Sequence, residues 1–314
     1  MIFPVSGVEV NPLVPPIVSL VVSTFTSMGG LSGGFLLLPF QVSVLNFSSP
    51  AVSPTNLVYN IVAIPSGVYR YIREGRMNWP VACVTVLGTL PGLYFGALIR
   101  TDWLPDPRNF KLFVGCVLLY IGLRLLYEQT PWAKRKKARI HEFEAQVQKR
   151  LQQVLRESGQ SAGRGLPAAA RVRTSHWSWK QVSYDFLGET FTFYPPALLL
   201  LALGTGLISG IYGIGGGALI APFLAAIFRL PMYTIAGAAL LGTLVTSVAG
   251  VGIYYSLGVS PDFLLGVLFG AGGFLGMYLG ARLQKYFTGK IIRTGLGLLV
   301  SGLALNYIVG YFLG

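Results

Sequence analysis

Charge is what this 314-residue chain has least of. Asp, Glu, Lys and Arg together make up 11% of it, where a soluble domain carries about 25%. Histidine and cysteine occur twice each. His141 and His176 lie in one polar stretch, far from the cysteines and carboxylates of the rest of the chain, so no metal-ligand spacing exists. Cys83 and Cys116 sit singly in apolar runs, form no CxxC, and read as small packed side chains rather than a disulfide framework. A thiol that meets a sulfur-containing substrate is the other reading. There is no phosphate-binding loop, zinc spacing or nucleophile elbow. The sequence therefore lacks the parts of an enzyme, and no cofactor or metal is expected. The opening MIFPVSGVEVNPLVPP has no basic leader and no small-residue cleavage site, so no cleaved signal peptide is expected either.

Apolar residues fill the space that charge leaves, at 53% of the chain. Uncharged runs extend from Asn11 to Tyr69, Met77 to Ile99, Pro195 to Phe228, Leu230 to Pro261, Phe263 to Ala281 and Thr294 to Gly314. A spanning helix needs about 20 apolar residues, and continuous rather than alternating runs exclude a β-barrel. The expectation is an all-α polytopic membrane protein.

The net charge of +13 is concentrated. Between Pro131 and Lys180 there are twelve Lys/Arg against Glu142, Glu144 and Glu157, a net of +9. Such segments beside spanning helices mark the cytoplasmic side and meet anionic lipid of the bilayer; nucleic acid is not an expected partner. Ile140, Phe143, Val147, Leu151, Val154 and Leu155 give this segment an apolar helical stripe. It reads as an amphipathic helix packed on the membrane domain; the heptad run is too short to claim a coiled coil, though it is compatible with a homodimer. SGQSAGRGLPAAA reads as a linker, and SHWSWKQVSYDF, with Trp177 and Trp179 beside Lys180, as an interfacial stretch.

The chain also repeats itself. At an offset of 183, GLSGGFLLLPF (30–40) lies over GIGGGALIAPF (213–223) with six of eleven positions identical. The register continues through Gly67/Gly250, Tyr71/Tyr254 and Gly75/Gly258, and after one residue of slippage GLYFGA (92–97) matches GMYLGA (276–281). Three regions follow: a first repeat over 1–130, a basic cytoplasmic insertion over 131–193, and a second repeat over 194–314. Each repeat parses into a broken segment, at 17–46 and 196–228, and three plain spans, at 52–72, 80–100 and 109–127 and at 232–257, 262–282 and 290–313.

Basic residues orient these spans. The positive-inside rule wants 70–76, 128–193 and 282–293 all cytoplasmic. Equivalent loops then face opposite sides, so the repeats are expected to be inverted, with both termini outside. Inversion needs an odd number of crossings per repeat, which three plain spans supply if each broken segment is a re-entrant helical hairpin. Pieces of twelve residues, as at 17–28 and 35–46, reach about 18 Å, near half a bilayer. A competing parse makes each broken segment one long tilted span. Under the inverted parse the loop 100–111 lies outside, although it carries Arg100, Arg108 and Lys111.

Broken helices in paired positions of two repeats point to a transporter binding site. The second piece of each hairpin would begin at a tip with free backbone N–H groups and the positive end of its dipole, and glycine lets a ligand approach closely. Candidate substrate-binding residues are Gly30, Ser32, Gly33, Gly34 and Phe35 from one tip, and Gly213, Gly215, Gly216, Gly217 and Ala218 from the other. Close helix packing is the alternative use of these glycines, and it explains Gly92/Gly96 and Gly276/Gly280 better than a site does. Asn56, Tyr59 and Asn60 in SPTNLVYN, with Thr243 and Ser247 in the equivalent span, are candidates to line an anion cavity; inter-helix hydrogen bonding is the other reading. Pro39 and Pro222 each free a carbonyl one turn earlier, either in a first turn or at a bend. No Asp or Glu lies mid-span, which argues against a cation substrate and a carboxylate proton relay.

Taken together, GGLSGGFLLLPF (29–40), its echo GIGGGALIAPF, and the SPTNLVYN and GALLGTLVTSVAG spans resemble the TauE/SafE family of membrane exporters, the sulfite exporter family. The resemblance covers both repeats but not 131–193. It implies a small sulfur-containing anion as substrate (sulfite, thiosulfate, sulfoacetate or another organosulfonate), often moved outward across the inner membrane. Uptake of such an anion, and a non-transporting scaffold that recruits a partner through the basic insertion, are the alternatives.

Overall fold

A computed structural model describes residues 1–28, 32–130, 149, 171–283 and 289–313. The proposed amphipathic helix and linker of the insertion lie outside the described residues. Residues 1–130 hold α1 (Val14–Met28), α2 (Gly34–Ser43), α3 (Val52–Ala63), α4 (Pro65–Arg73), α5 (Trp79–Leu98), a π-helical turn (Ile99–Trp103) and α6 (Pro107–Tyr127). Strands β1 (Arg173–Trp177), β2 (Val182–Phe186) and β3 (Glu189–Phe193) follow. The C-terminal half holds α7 (Pro195–Tyr212), α8 (Gly216–Ile227), α9 (Met232–Ser256), α10 (Phe263–Leu283) and α11 (Gly289–Leu313).

Local signals set many of these boundaries. Asn78 caps α5 by accepting from the Val81 N–H at 3.2 Å, and Asp106 caps α6 by accepting from Arg108 N–H at 2.9 Å. Prolines occupy the first turn of α5, α6 and α7, where a missing N–H costs nothing. The expected plain span 52–72 is instead two helices, because Pro65 interrupts the hydrogen-bond ladder between α3 and α4. Among the described residues, six helices are long and apolar enough to cross a membrane, and α1 and α2 are shorter apolar helices. The leading pieces of the broken segments are longer than twelve residues: α1 has 15 and α7 has 18.

Sequence-equivalent helices make equivalent contacts. The carbonyls of Pro16, Leu20 and Thr24 on α1 face Gly272, Gly276 and Gly280 on α10. The carbonyls of Leu199, Leu203 and Leu207 on α7 face Gly88, Gly92 and Gly96 on α5. In both pairs the helices run the same way, and a Cβ at any of the six glycines would strike the facing carbonyl. That is why glycine recurs every four residues on both helices: backbones this close leave no room for a side chain. The self-equivalent pairs run in opposite directions. Gly115 of α6 meets Ala304, Tyr307 and Ile308 of α11, while Gly122 meets Gly297 and Ser301. Leu57 of α3 meets Gly250 of α9, while Tyr71 of α4 meets Gly237.

Each hairpin returns to the end it came from. Leu198 near the start of α7 and Leu224 near the end of α8 share one core with Val81 and Ala82 at the start of α5. This end, just beyond Arg70, Arg73 and Arg76, is the basic end of the bundle. α2 instead ends beside Tyr307, whose hydroxyl meets Ser43 Oγ, and α6 starts at that same far end, where Arg108 donates to the Tyr311 carbonyl at 2.6 Å.

The stretch expected to be interfacial, with the residues that follow it, instead carries β1, β2 and β3, paired as an antiparallel meander. Leu187 and Gly188, both at positive φ (53° and 78°), make the two-residue turn between β2 and β3. Alternation along β2 turns Val182, Tyr184 and Phe186 inward, and with Phe193 they pack on Leu198, Leu224, Leu230 and Ile235. Tyr184 Oη and Thr234 Oγ1 hydrogen-bond at 2.9 Å. The stretch read as interfacial is thus in part a cover on the basic end, while Trp177 and Trp179 stay exposed.

Arg100, at the head of the 100–111 stretch, lies in regular structure rather than in a loop. It is fully buried in the π-helical turn, with its guanidinium 3.7 Å from the Phe110 ring centroid. Its Nη2 donates to the Ser48 carbonyl at 3.0 Å and its Nη1 to the Leu104 carbonyl.

Candidate functional site

The two glycine-rich tips meet in the interior. α2 starts after Gly33 and α8 after Gly215. Gly213 (φ 83°) and Gly215 (φ 80°) take conformations that a side chain would strain. Gly33 lies against Ser23 of α1 and Tyr59 of α3; Gly34 lies against Asn56, Tyr59 and Asn60. Gly216 lies against Thr89 of α5, and Gly215 and Gly217 against Thr243 of α9. Tyr59 and Thr89 sit opposite or at the middle of α10 and α5, since Tyr59 packs on Gly273. The starts of α2 and α8 are therefore level with the middle of the spanning helices.

Asparagines join them. Asn56 Nδ2 donates to the Gly34 carbonyl at 2.9 Å and to the Gly213 carbonyl at 3.0 Å. Asn60 Nδ2 donates to the Ile214 carbonyl at 3.0 Å. Ser53 Oγ adds a bond to the Ile211 carbonyl at 2.9 Å. Tyr59 Oη and Ser23 Oγ pair at 2.9 Å, and Gln41 Nε2 reaches Asn56 Oδ1 at 3.4 Å. All these side chains are buried. α1, α2, α3, α5, α7, α8 and α9 contain no Asp, Glu, Lys, Arg or His, so the cluster they build is polar and uncharged.

Pro39 and Pro222 both lie inside their helices, not in a first turn. The carbonyl that a residue-39 N–H would have bonded, that of Phe35, instead accepts from Tyr212 Oη of α7 at 2.6 Å. A buried carbonyl left unpaired would cost about 1–3 kcal/mol, so Tyr212 offsets the proline in α2.

The expected residues divide clearly. Gly33, Gly34, Asn56, Tyr59, Asn60 and Gly213 converge at one junction; Gly215, Gly216, Gly217, Thr243 and Ser247 converge beside it. Ser32 flanks the first tip and accepts from the Gly34 N–H at 3.4 Å. Phe35 turns into the apolar core. Ala218 sits in the first turn of α8, and Gly30 lies outside the described residues. Two expectations need correction. The Gly216 N–H is not free: it donates to Thr246 Oγ1 at 3.0 Å. The Cα faces of Gly216 and Gly217 are not open to a ligand, because Thr89 and the Ala239 carbonyl cover them. Ser23, Thr89 and Tyr212 were missed; their signal was a hydroxyl inside an apolar run, which sequence alone does not separate from ordinary helix-to-helix bonding.

Polar, uncharged hairpin tips enclosed at mid-depth in a bundle of apolar helices define a multi-pass membrane protein of the transporter class. The chain belongs to the sulfite exporter TauE/SafE family, whose model matches residues 16–307. It is 21% identical over 286 residues, 88% of this chain and 89% of the relative, to the "Probable membrane transporter protein YunE" of Bacillus subtilis (strain 168). A "Probable membrane transporter protein" of Haemophilus influenzae (strain ATCC 51907 / DSM 11121 / KW20 / Rd) is 28% identical over 110 residues, 35% of this chain and 41% of that protein. No solved structure matches the chain significantly.

Proposed function

We propose that this protein is a secondary transporter that exports sulfite or a related sulfur oxyanion across the cytoplasmic membrane by alternating access. The carrying observation is the pair of hydrogen bonds that Asn56 Nδ2 donates to the Gly34 and Gly213 carbonyls. One side chain ties both hairpin tips, so movement of either hairpin must break or remake a contact with the other. The anion is held where the tips meet, by the positive dipole ends of α2 and α8 and the surrounding hydroxyls; the Gly34 and Gly216 N–H groups, already bonded to Ser32 and Thr246, are not its ligands. An interior-negative potential favours outward movement of an anion without a coupled proton.

The repeats are inverted in this reading. The opposed course of α6 against α11 and of α3–α4 against α9 supports a pseudo-twofold axis in the membrane plane, because helices related by an axis along the membrane normal would run parallel. Hairpins that return to opposite ends support re-entrance. The basic end, with its sheet, is the cytoplasmic one.

The test is efflux from proteoliposomes loaded in parallel with sulfite, thiosulfate, sulfoacetate or sulfate. Saturable sulfite release is expected. Release of a different sulfur anion replaces the substrate, and no release of any of them from folded protein rejects the transport reading.

A further inference from the structure

Among the described residues, the buried polar atoms around the tips without a hydrogen-bond partner include Asn60 Oδ1, Ser247 Oγ, Thr85 Oγ1 and, beside Asn56, Gln41 Oε1. Asn60 and Ser247 flank a single dipeptide. Asn60 Nδ2 holds the Ile214 carbonyl, and Ser247 Oγ lies 3.0 Å from where a Cβ on Gly215 would be. Because the Ile214 carbonyl can only accept, it fixes the Asn60 amide with Nδ2 toward it and leaves Oδ1 as the free atom. That oxygen faces Gly34, 3.4 Å from its Cβ position. Hydroxyls can donate to an anion, but an amide oxygen can only accept, and an acceptor aimed at a fully ionised oxyanion repels it. Thr85, on the next turn before Thr89, faces the same region from α5.

We infer that the site takes a singly charged oxyanion that still carries a proton, hydrogensulfite rather than sulfite, with Asn60 Oδ1 accepting from the anion's own hydrogen. This rests on the transport reading above and specifies the species carried. Charge supports it independently. The Born cost of burying an ion rises with the square of its charge, so a dianion costs about four times a monoanion. No cation on the helices that build the cluster offsets it. The titratable groups those elements carry are Tyr59 on α3, Tyr212 on α7, Cys83 and Tyr94 on α5, and Tyr233, Tyr254 and Tyr255 on α9. α10, packed on α3, adds Tyr278 and, in its last turn, Arg282; α4, continuing α3 toward the basic end, adds Tyr69, Arg70, Tyr71 and Arg73. α1, α2 and α8 carry none.

The experiment is sulfite efflux from proteoliposomes of the intact protein at fixed total sulfite, with equal pH on both sides, over a range that crosses the second ionisation of sulfurous acid. The initial rate should follow the hydrogensulfite fraction and fall about tenfold per pH unit above that ionisation. Methanesulfonate, a monoanion with no proton to titrate, should compete poorly at every pH. In Asn60→Thr, which places the residue type of the equivalent position 243 there and keeps a donor for Ile214, its disadvantage should shrink by about five- to tenfold. A rate that is flat or rises with pH, or methanesulfonate competing as well as hydrogensulfite, overturns the inference and leaves sulfite transport standing. Absence of sulfite flux at every pH from folded protein overturns both.

Discussion

Asn56 on α3 and Gly213 at the end of α7 lie in different halves of the chain, 157 residues apart, and are joined by a 3.0 Å hydrogen bond in the interior. The same Asn56 nitrogen also holds Gly34, so the bond links two hairpins rather than a helix and a loop. Replacing Asn56 with Leu leaves two buried carbonyls unpaired, a cost of about 1–3 kcal/mol each. The expected result is a lower unfolding temperature in detergent and a loss of sulfite flux of more than about tenfold in the folded fraction. Unchanged flux at full loading would remove Asn56 from the mechanism.

The two tips should respond differently to a single methyl group. A Cβ on Gly34 would sit 3.4 Å from its nearest neighbours, whereas on Gly217 it would strike the Ala239 carbonyl. Gly34→Ala is expected to fold normally and to lower flux, because the methyl enters the space between Asn56 and Asn60. Gly217→Ala is expected to be destabilised outright. Size-exclusion profiles and thermal unfolding of the two variants separate these outcomes.

Tyr212 and Pro39 form a compensated pair, testable by a double-mutant cycle. Tyr212→Phe removes the donor to the Phe35 carbonyl and should cost about 1–3 kcal/mol. Pro39→Ala restores a backbone N–H that can take that carbonyl within α2. On the Pro39→Ala background the Tyr212→Phe penalty should largely vanish. Additive effects would show that the hydroxyl does something other than replace the missing amide.

The sheet sets a boundary for deletions. Removing 134–168 leaves β1, β2 and β3 intact, and the shortened protein should remain folded and retain most of its flux. Removing 171–193 uncovers Val81, Leu198, Leu224 and Ile235 and should yield aggregated protein. Equal behaviour of the two deletions in size-exclusion chromatography would mean that the sheet contributes nothing to the bundle.

Much of this architecture was legible in the residues. Long uncharged runs leave a chain no solvent but lipid, because backbone and side chains of that composition bury only against each other or a bilayer. The duplicated glycine–proline pattern located both tips, and the spacing of Gly92 and Gly96 against Gly276 and Gly280 announced close helix packing, since a Cβ either fits against a facing backbone or does not. Asn56, Asn60, Thr243 and Ser247 were identifiable as polar groups that need partners in an apolar setting. Which partners they take is decided only by the tertiary structure. That Asn56 bonds both tips, that Thr246 occupies the Gly216 N–H, and that Tyr212 relieves Pro39 all depend on contacts 30 to 177 residues apart. Local pattern carries no information at that range. The meander at 173–193 escaped notice for a related reason: its short, mixed strands bury one face only because the ends of α5, α7, α8 and α9 lie beneath them. Composition selected the solvent and the recurring glycine–proline pattern marked the two helix breaks, but the pairing of each buried polar atom was settled by the packing of one half of the chain on the other.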